Sequence, residues 1–219
     1  MTRVKICGIK EKAHASAVIE SGGDFIGLVF APSQRQVTPA QAREIVDTFK
    51  KHDSAIAAVG VFVNMPAAEV NRIADYCELD LVQLSGDETW EYCLGIARPL
   101  IKAVRISRNQ SPQEICASLT AGASKLSSQR CIYLLDSQVK GRYGGSGIAF
   151  DWSLARQAAK QFPVIIAGGL APENVVQAIE AVAPWGVDVS SGVEVGGGKD
   201  IARIRAFIEA VRGADGIKK

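Results

Sequence analysis

Residues 163 to 194 read PVIIAGGLAPENVVQAIEAVAPWGVDVSSGVE. A short apolar run, Val164 to Ala167, ends at paired glycines. A helical pattern follows from Pro172 to Val182, with proline at about its first helical position, and a second apolar run spans Val187 to Ser190. Strand, helix and strand in succession make a parallel pair, because the crossover helix returns the chain to the starting edge of the sheet.

The same alternation extends outward to the ends of the chain. Strand-like runs occur at Arg3 to Cys7, Asp24 to Phe30, Ile56 to Val63, Asp80 to Leu84, Leu100 to Val104 and Cys131 to Asp136, which with the two above makes eight. Helical patterns lie between and after them at Lys10 to Ser21, Pro39 to Lys51, Pro66 to Tyr76, Thr89 to Arg98, Ser111 to Ala121, Asp151 to Gln161, Pro172 to Val182 and Ile201 to Arg212. Ser111, with Glu114 three residues on, offers a capping box. Eight βα units predict an α/β fold of one domain, a closed (β/α)8 or TIM barrel. About 27 residues per unit leave only short loops, since the fold typically takes about 250 residues and tolerates about 200. An open doubly wound sheet would use five or six strands and strand two of these runs.

Composition narrows the function. The 219 residues are 47% hydrophobic and 22% charged, and Lys+Arg 25 against Asp+Glu 23 gives a net charge of +2 with no block of like charges. That argues against nucleic acid and against a polybasic membrane contact. No apolar run approaches the roughly 18 residues of a membrane span and the start lacks a signal-type apolar region, so the expected compartment is the cytoplasm. Five cysteines, with no Cys-x-x-Cys spacing, and two histidines, His14 and His52, make neither a disulfide framework nor a metal site.

In either architecture ligands bind beyond the carboxyl ends of the strands. Gly168-Gly169 after the seventh strand and Ser190-Ser191-Gly192 after the eighth supply close backbone approach, N–H groups and hydroxyls, and read as a phosphate cup. Gly144-Gly145-Ser146-Gly147 and Gly198-Lys199 do not complete nucleotide fingerprints, so a phosphosugar fits better than a nucleotide. Asp136 closes the apolar run Ile132 to Leu135, where desolvation favours the protonated carboxyl and suits a general acid. The glycine-dense segment Gly141 to Gly147 behind it suits a mobile cover. Cys7 ends the first strand on the same rim, while Cys77, Cys93, Cys116 and Cys131 lie in helical patterns or at a strand start. Lys5 shares the face of Cys7 by two-residue alternation, and its ammonium is expected to favour a thiolate able to take a proton from a bound sugar. Arg35, in the loop after Pro32, could recognise a carboxylate with its fork. Trp90, Trp152 and Trp185 read as packing residues.

Beyond these features the chain resembles phosphoribosylanthranilate isomerases of tryptophan biosynthesis. The strings that carry the resemblance are Val4-Lys5-Ile6-Cys7-Gly8-Ile9, Phe25 to Phe30 with Ser33 to Arg35, Val59 to Asn64, Leu135-Asp136 with Gly144 to Gly147 and Phe150-Asp151-Trp152, and Val187-Asp188-Val189-Ser190-Ser191-Gly192-Val193-Glu194. The resemblance implies an Amadori rearrangement in which Asp136 protonates the ring oxygen as general acid and Cys7 removes the proton from sugar C2 as general base. It implies that Arg35 holds the anthranilate carboxylate and that Gly168, Gly169, Ser190, Ser191 and Gly192 hold the phosphate, with no metal and no cofactor. Many members carry His-Gly after the fourth strand where this chain has Ser85-Gly86. The competing readings are an indole-glycerol-phosphate synthase relative, which would need a Lys and Glu pair in the barrel mouth and leaves Lys5 and Lys102 as its candidates, and a silent phosphosugar-binding module. Assembly state has no signature in the sequence.

Overall fold

The computed structural model describes residues 1–50, 55–107, 110–126, 131–137 and 151–217. Its strands are β1 (Arg3–Cys7), β2 (Phe25–Val29), β3 (Ala57–Phe62), β4 (Leu81–Leu84), β5 (Leu100–Ile106), β6 (Cys131–Ser137), β7 (Val164–Ile166) and β8 (Gly186–Val189). All neighbours pair in parallel and in chain order, and β8 pairs back onto β1, so the sheet is a closed barrel. Strands covered on both faces need apolar residues in every position rather than in alternate ones. β2 (FIGLV) is accordingly buried throughout.

Helices α1 (Lys12–Glu20), α2 (Pro39–Lys50), α3 (Ala67–Tyr76), α4 (Trp90–Cys93), α5 (Pro112–Lys125), α6 (Arg156–Ala159), α7 (Val175–Val182) and α8 (Ile201–Ile217) surround the barrel. Ser111 and Glu114 cap α5 reciprocally, as the sequence predicts. α4 is far shorter than the stretch Thr89 to Arg98. Thr89 starts it, but the Asn71 side chain donates to the Gly95 carbonyl at 2.8 Å and accepts from Ala97 N at 3.0 Å, pulling the chain out of the helix. The sixth segment begins as a 3-10 turn, Trp152–Ala155, because Asp151 Oδ1 accepts from Ser153 N. α8 runs five residues past Arg212, since Asp215 in its last turn accepts from the backbone and hydroxyl of Thr2 and ties the helix to the start of β1.

Burial divides into layers. The larger apolar layer lies between strands and helices; a second fills the barrel interior with Phe25, Val59, Ile101, Leu134, Ile165 and Ala167. Trp185 packs on Phe25 with ring centroids 5.9 Å apart and closes the amino-terminal end. Cys7, Val29, Ala31 and Val61 form a third apolar group near the other end. One end of the barrel is thus plugged by side chains and the carboxyl end is left to hold a ligand. Among the described residues no helix is long and apolar enough to cross a membrane.

Candidate active site

The mouth of the barrel holds a cavity of ≈ 540 Å³, within the range of small-molecule sites. Its lining includes Cys7, Arg35, Asp136, Gly168, Gly169, Ser190 and Ser191, so seven of the eight residues singled out from the sequence meet in one chamber. Gly192 stands one layer back: a β-carbon there would fall on the Leu170 carbonyl oxygen, so its lack of a side chain lets the loops after β7 and β8 close on each other. Val61, Ala103 and Leu134 give the chamber apolar walls, and Gln83, Ser85, Arg105 and Asp188 add polar groups.

Each side chain arrives by strand alternation. On β1, Lys5 and Cys7 both point inward. Lys5 is fully buried, and its Nζ reaches Asp188 Oδ1 at 2.9 Å, its register partner on β8. A buried ammonium is tolerable only when paired, and burial here would lower the Lys5 pKa; Asp188 and Cys7 more than offset this, and the net shift is upward. Gly27 makes the space, since a β-carbon there would meet Cys7 Sγ and Lys5 Nζ, both at 3.1 Å.

Cys7 is 8% exposed, and burial pushes its thiol up. Lys5 pulls in the opposite direction without winning, and the Asp188 carboxylate adds to the upward push. Lys5 acts in the direction expected of it, favouring the thiolate, but the desolvation of sulfur is the larger effect and the net shift is upward. Asp136, also 8% exposed, stands at the end of β6 beside its register partner Arg105 on β5. Two strands, β7 and β8, separate β6 from β1 around the barrel, which spaces the carboxyl from the thiol across the chamber.

Arg35 is held rather than loose. Its Nε and Nη2 donate to the two carboxylate oxygens of Glu194 at 2.7 and 2.8 Å, along one edge of the guanidinium. Burial alone would raise the Glu194 pKa, but the Arg35 and Lys199 hydrogen bonds hold it down at about 2. Gly8, at φ +82, leaves the room that Arg35 occupies, for a β-carbon there would come within 2.6 Å of Arg35 Cδ. In the loop after β7, Gly168 and Gly169 have φ of 85° and 67°, the left-handed region open to glycine. Asn174 Nδ2 donates to the Gly169 carbonyl at 2.8 Å and fixes that turn. The Ser190 hydroxyl donates to the Cys7 carbonyl at 3.2 Å and accepts from Lys199, so it is already engaged within the protein.

Gln83, Glu194 and Lys199 were not picked out as site residues by sequence reasoning. Gln83 Nε2 donates to Ser85 Oγ at 3.0 Å, and among the described residues its buried Oε1 meets no partner. The signal for the other two was present, because Glu194 and Lys199 flank Gly196-Gly197-Gly198, a hairpin turn composition. Lys102 lies on the outer face of β5 under the β4 loop, 3.0 Å from the buried Glu88, and does not line the chamber. With Lys5 paired to Asp188, a mouth-facing Lys and Glu pair of the synthase type is not formed by either candidate lysine. The segment Gly141 to Gly147, read as a cover, and His52 lie outside the described residues.

A closed (β/α)8 barrel that gathers acid, thiol, guanidinium and glycine-bounded loops at the carboxyl ends of its strands belongs to the class of barrel enzymes with a small-molecule site at that end. A family model described as N-(5'-phosphoribosyl)anthranilate (PRA) isomerase matches residues 4–210. The chain belongs to that family. The N-(5'-phosphoribosyl)anthranilate isomerase of Dehalococcoides mccartyi is 44% identical over 99% of this chain and 98% of its own length, and that of Moorella thermoacetica 49% identical over 98% and 92%. The crystal structure of phosphoribosyl anthranilate isomerase from Thermotoga maritima matches with a TM-score of 0.84 at 38% identity, over 97% of this chain and 100% of that one. A further structure, of the isomerase with reduced 1-(o-carboxyphenylamino)-1-deoxyribulose 5-phosphate, matches at TM-score 0.80, 37% identity, and 97% and 100% coverage.

Proposed function

We propose that this chain isomerises N-(5-phosphoribosyl)anthranilate to 1-(2-carboxyphenylamino)-1-deoxyribulose 5-phosphate in tryptophan biosynthesis, with Asp136 as general acid and Cys7 as general base. The observation that carries the reading is the convergence of Cys7 from β1 and Asp136 from β6 on one chamber rimmed by Gly168, Gly169, Ser190 and Ser191.

The chemistry follows from what each group can do. Asp136 gives its proton to the ring oxygen, the C1–O bond breaks, and the anilino nitrogen donates its lone pair to form a protonated imine. That cation draws electrons from C2, so the C2 proton becomes acidic and the thiolate form of Cys7 takes it, returning to the thiol. The electron pair left at C2 closes to an enolamine, with the protonated imine as the internal electron sink, and protonation at C1 with loss of the C2 hydroxyl proton gives the C2 ketone. The base is the thiolate, the minor form of a thiol whose pKa burial raises, and two cations favour its formation: Lys5 beneath it and the imine that forms beside it. Burial then has a use, since the sulfur once deprotonated is poorly solvated and strongly basic. Backbone N–H groups of the loops after β7 and β8 receive the phosphate, the apolar walls Val61, Ala103 and Leu134 enclose the aromatic ring, and Arg35 meets its carboxylate.

The test is to add chemically generated phosphoribosylanthranilate to the purified chain and follow its fluorescence. Loss of signal proportional to enzyme concentration is the expected result; an unchanged signal at high enzyme concentration overturns the reading.

A further inference from the structure

Glu194 and Lys199 sit on a two-stranded ribbon, β9 (Glu194–Val195) and β10 (Gly198–Lys199), where they are direct cross-strand partners. The Lys199 side chain is 4% exposed, and its ammonium reaches three acceptors: Glu194 Oε1 at 2.7 Å, the Ser190 carbonyl at 2.9 Å and the Ser190 hydroxyl at 3.3 Å. An ammonium has three N–H groups, and these contacts account for them. Lys199 is thereby turned toward the protein. Glu194 in turn takes the Nε and Nη2 edge of Arg35, leaving the end of the guanidinium that bears Nη1, which suffices for a second carboxylate. Ser190 continues the chain of contacts to the carbonyl of Cys7.

We infer that Glu194 and Lys199 are positioning residues that brace Arg35, the reader of the substrate carboxylate, at a fixed separation from the Ser190 loop that receives the phosphate. The inference rests on the substrate reading above. An arginine swinging free would lose side-chain entropy each time it met a ligand, whereas one clamped along its far edge has lost it already. The brace therefore selects ligands that carry both anions at a matching distance. The rival role for the same geometry is a latch, in which Glu194 occupies Arg35 in place of the substrate and must be displaced.

The experiment measures binding of the reduced product, 1-(o-carboxyphenylamino)-1-deoxyribulose 5-phosphate in reduced form, and of its phenyl counterpart without the carboxyl, to wild type, Glu194→Gln, Glu194→Asp, Arg35→Met and the double variant Arg35→Met/Glu194→Gln. The brace predicts that Glu194→Gln and Arg35→Met each weaken the carboxylate-bearing compound about tenfold or more, the scale of a charge-assisted hydrogen bond, and leave the phenyl counterpart nearly unchanged. It predicts that the double variant is no weaker than Arg35→Met alone, because Glu194 acts through Arg35. The shorter Glu194→Asp should fall between wild type and Glu194→Gln, and it keeps the test open if the glutamine variant does not fold. In turnover the loss should appear in KM far more than in kcat. Tighter binding by Glu194→Gln would establish the latch and overturn the brace, as would equal losses for both compounds. Wild type that binds neither compound overturns the substrate reading and this inference together; wild type that binds with unchanged affinity in Glu194→Gln overturns this inference alone.

Discussion

Lys5 Nζ lies 2.9 Å from Asp188 Oδ1, joining the first strand of the barrel to the last. The two residues are register partners across the seam where β8 meets β1, so the ion pair forms only when the barrel closes. It places an ion pair directly beside the Cys7 sulfur, whose charges modulate a thiol that burial pushes up.

Lys5 is the largest of the influences that lower the Cys7 pKa, and Asp188 a smaller one that raises it. Removing both, as Lys5→Met/Asp188→Asn, keeps the interior free of an unpaired charge and should move the thiol further upward. Only the deprotonated sulfur accepts a proton, so kcat/KM should climb with pH toward the Cys7 pKa, and the climb should sit at higher pH in the double variant. Ultraviolet absorbance of the Cys7 thiolate, measured against a Cys7→Ser blank, should show the same displacement. A shift toward lower pH would contradict the ordering of these charges.

Glu194 titrates at about 2 in the folded chain against an ordinary 4.5. A depressed carboxylate stabilises the fold above its unfolded value and ceases to do so as pH falls through the folded one. Wild type should therefore lose stability between about pH 4.5 and about pH 2 in part through this group, by on the order of 2 kcal/mol once screening at the partly exposed Arg35 is allowed for. Urea unfolding across that window should be measurably flatter for Glu194→Gln. Identical acid profiles would show that the Arg35 and Lys199 contacts add nothing to folding.

The buried pair Lys102–Glu88 lies outside the chamber, and Glu88 also accepts from Asn64 N at 2.8 Å. Lys102→Met strips a buried carboxylate of its partner and should cost about 3 to 5 kcal/mol in unfolding free energy. Turnover of the fraction that remains folded should stay within a few-fold of wild type. Loss of catalysis at unchanged stability would restore Lys102 to the chemistry.

Gly192→Ala sets a β-carbon against the Leu170 carbonyl, a backbone atom that cannot rotate away. The loops after β7 and β8 must then part, at a cost of about 1 to 3 kcal/mol. KM should rise, and inhibition by inorganic phosphate should weaken in parallel. Unaltered phosphate inhibition would remove this pair of loops from the phosphate site.

The barrel was legible because its period is local: each apolar run and each amphipathic stretch is written in consecutive residues, and Cys7 and Asp136 stand out simply by ending such runs. The sequence misread lengths where a distant side chain intervenes, as Asn71 does at the end of α4. Pairings such as Lys5 with Asp188, or Arg35 with Glu194, join residues that strand alternation alone cannot bring together, because they depend on closure and on the ribbon after β8. The direction of the thiol's pKa shift depends on the same closure. Alternation puts Lys5 beside Cys7, but the burial that outweighs it, and the Asp188 carboxylate that opposes it, come with closure of the barrel.

The division of labour between Cys7 and Asp136 is tested most directly by turnover of Cys7→Ala and Asp136→Asn at saturating phosphoribosylanthranilate, with thermal unfolding as a control for the fold. Each substitution should lower kcat by at least about 10² fold, the usual contribution of a positioned acid or base, with the unfolding transition close to that of wild type. Either variant turning over at a near-normal rate would contradict its assignment.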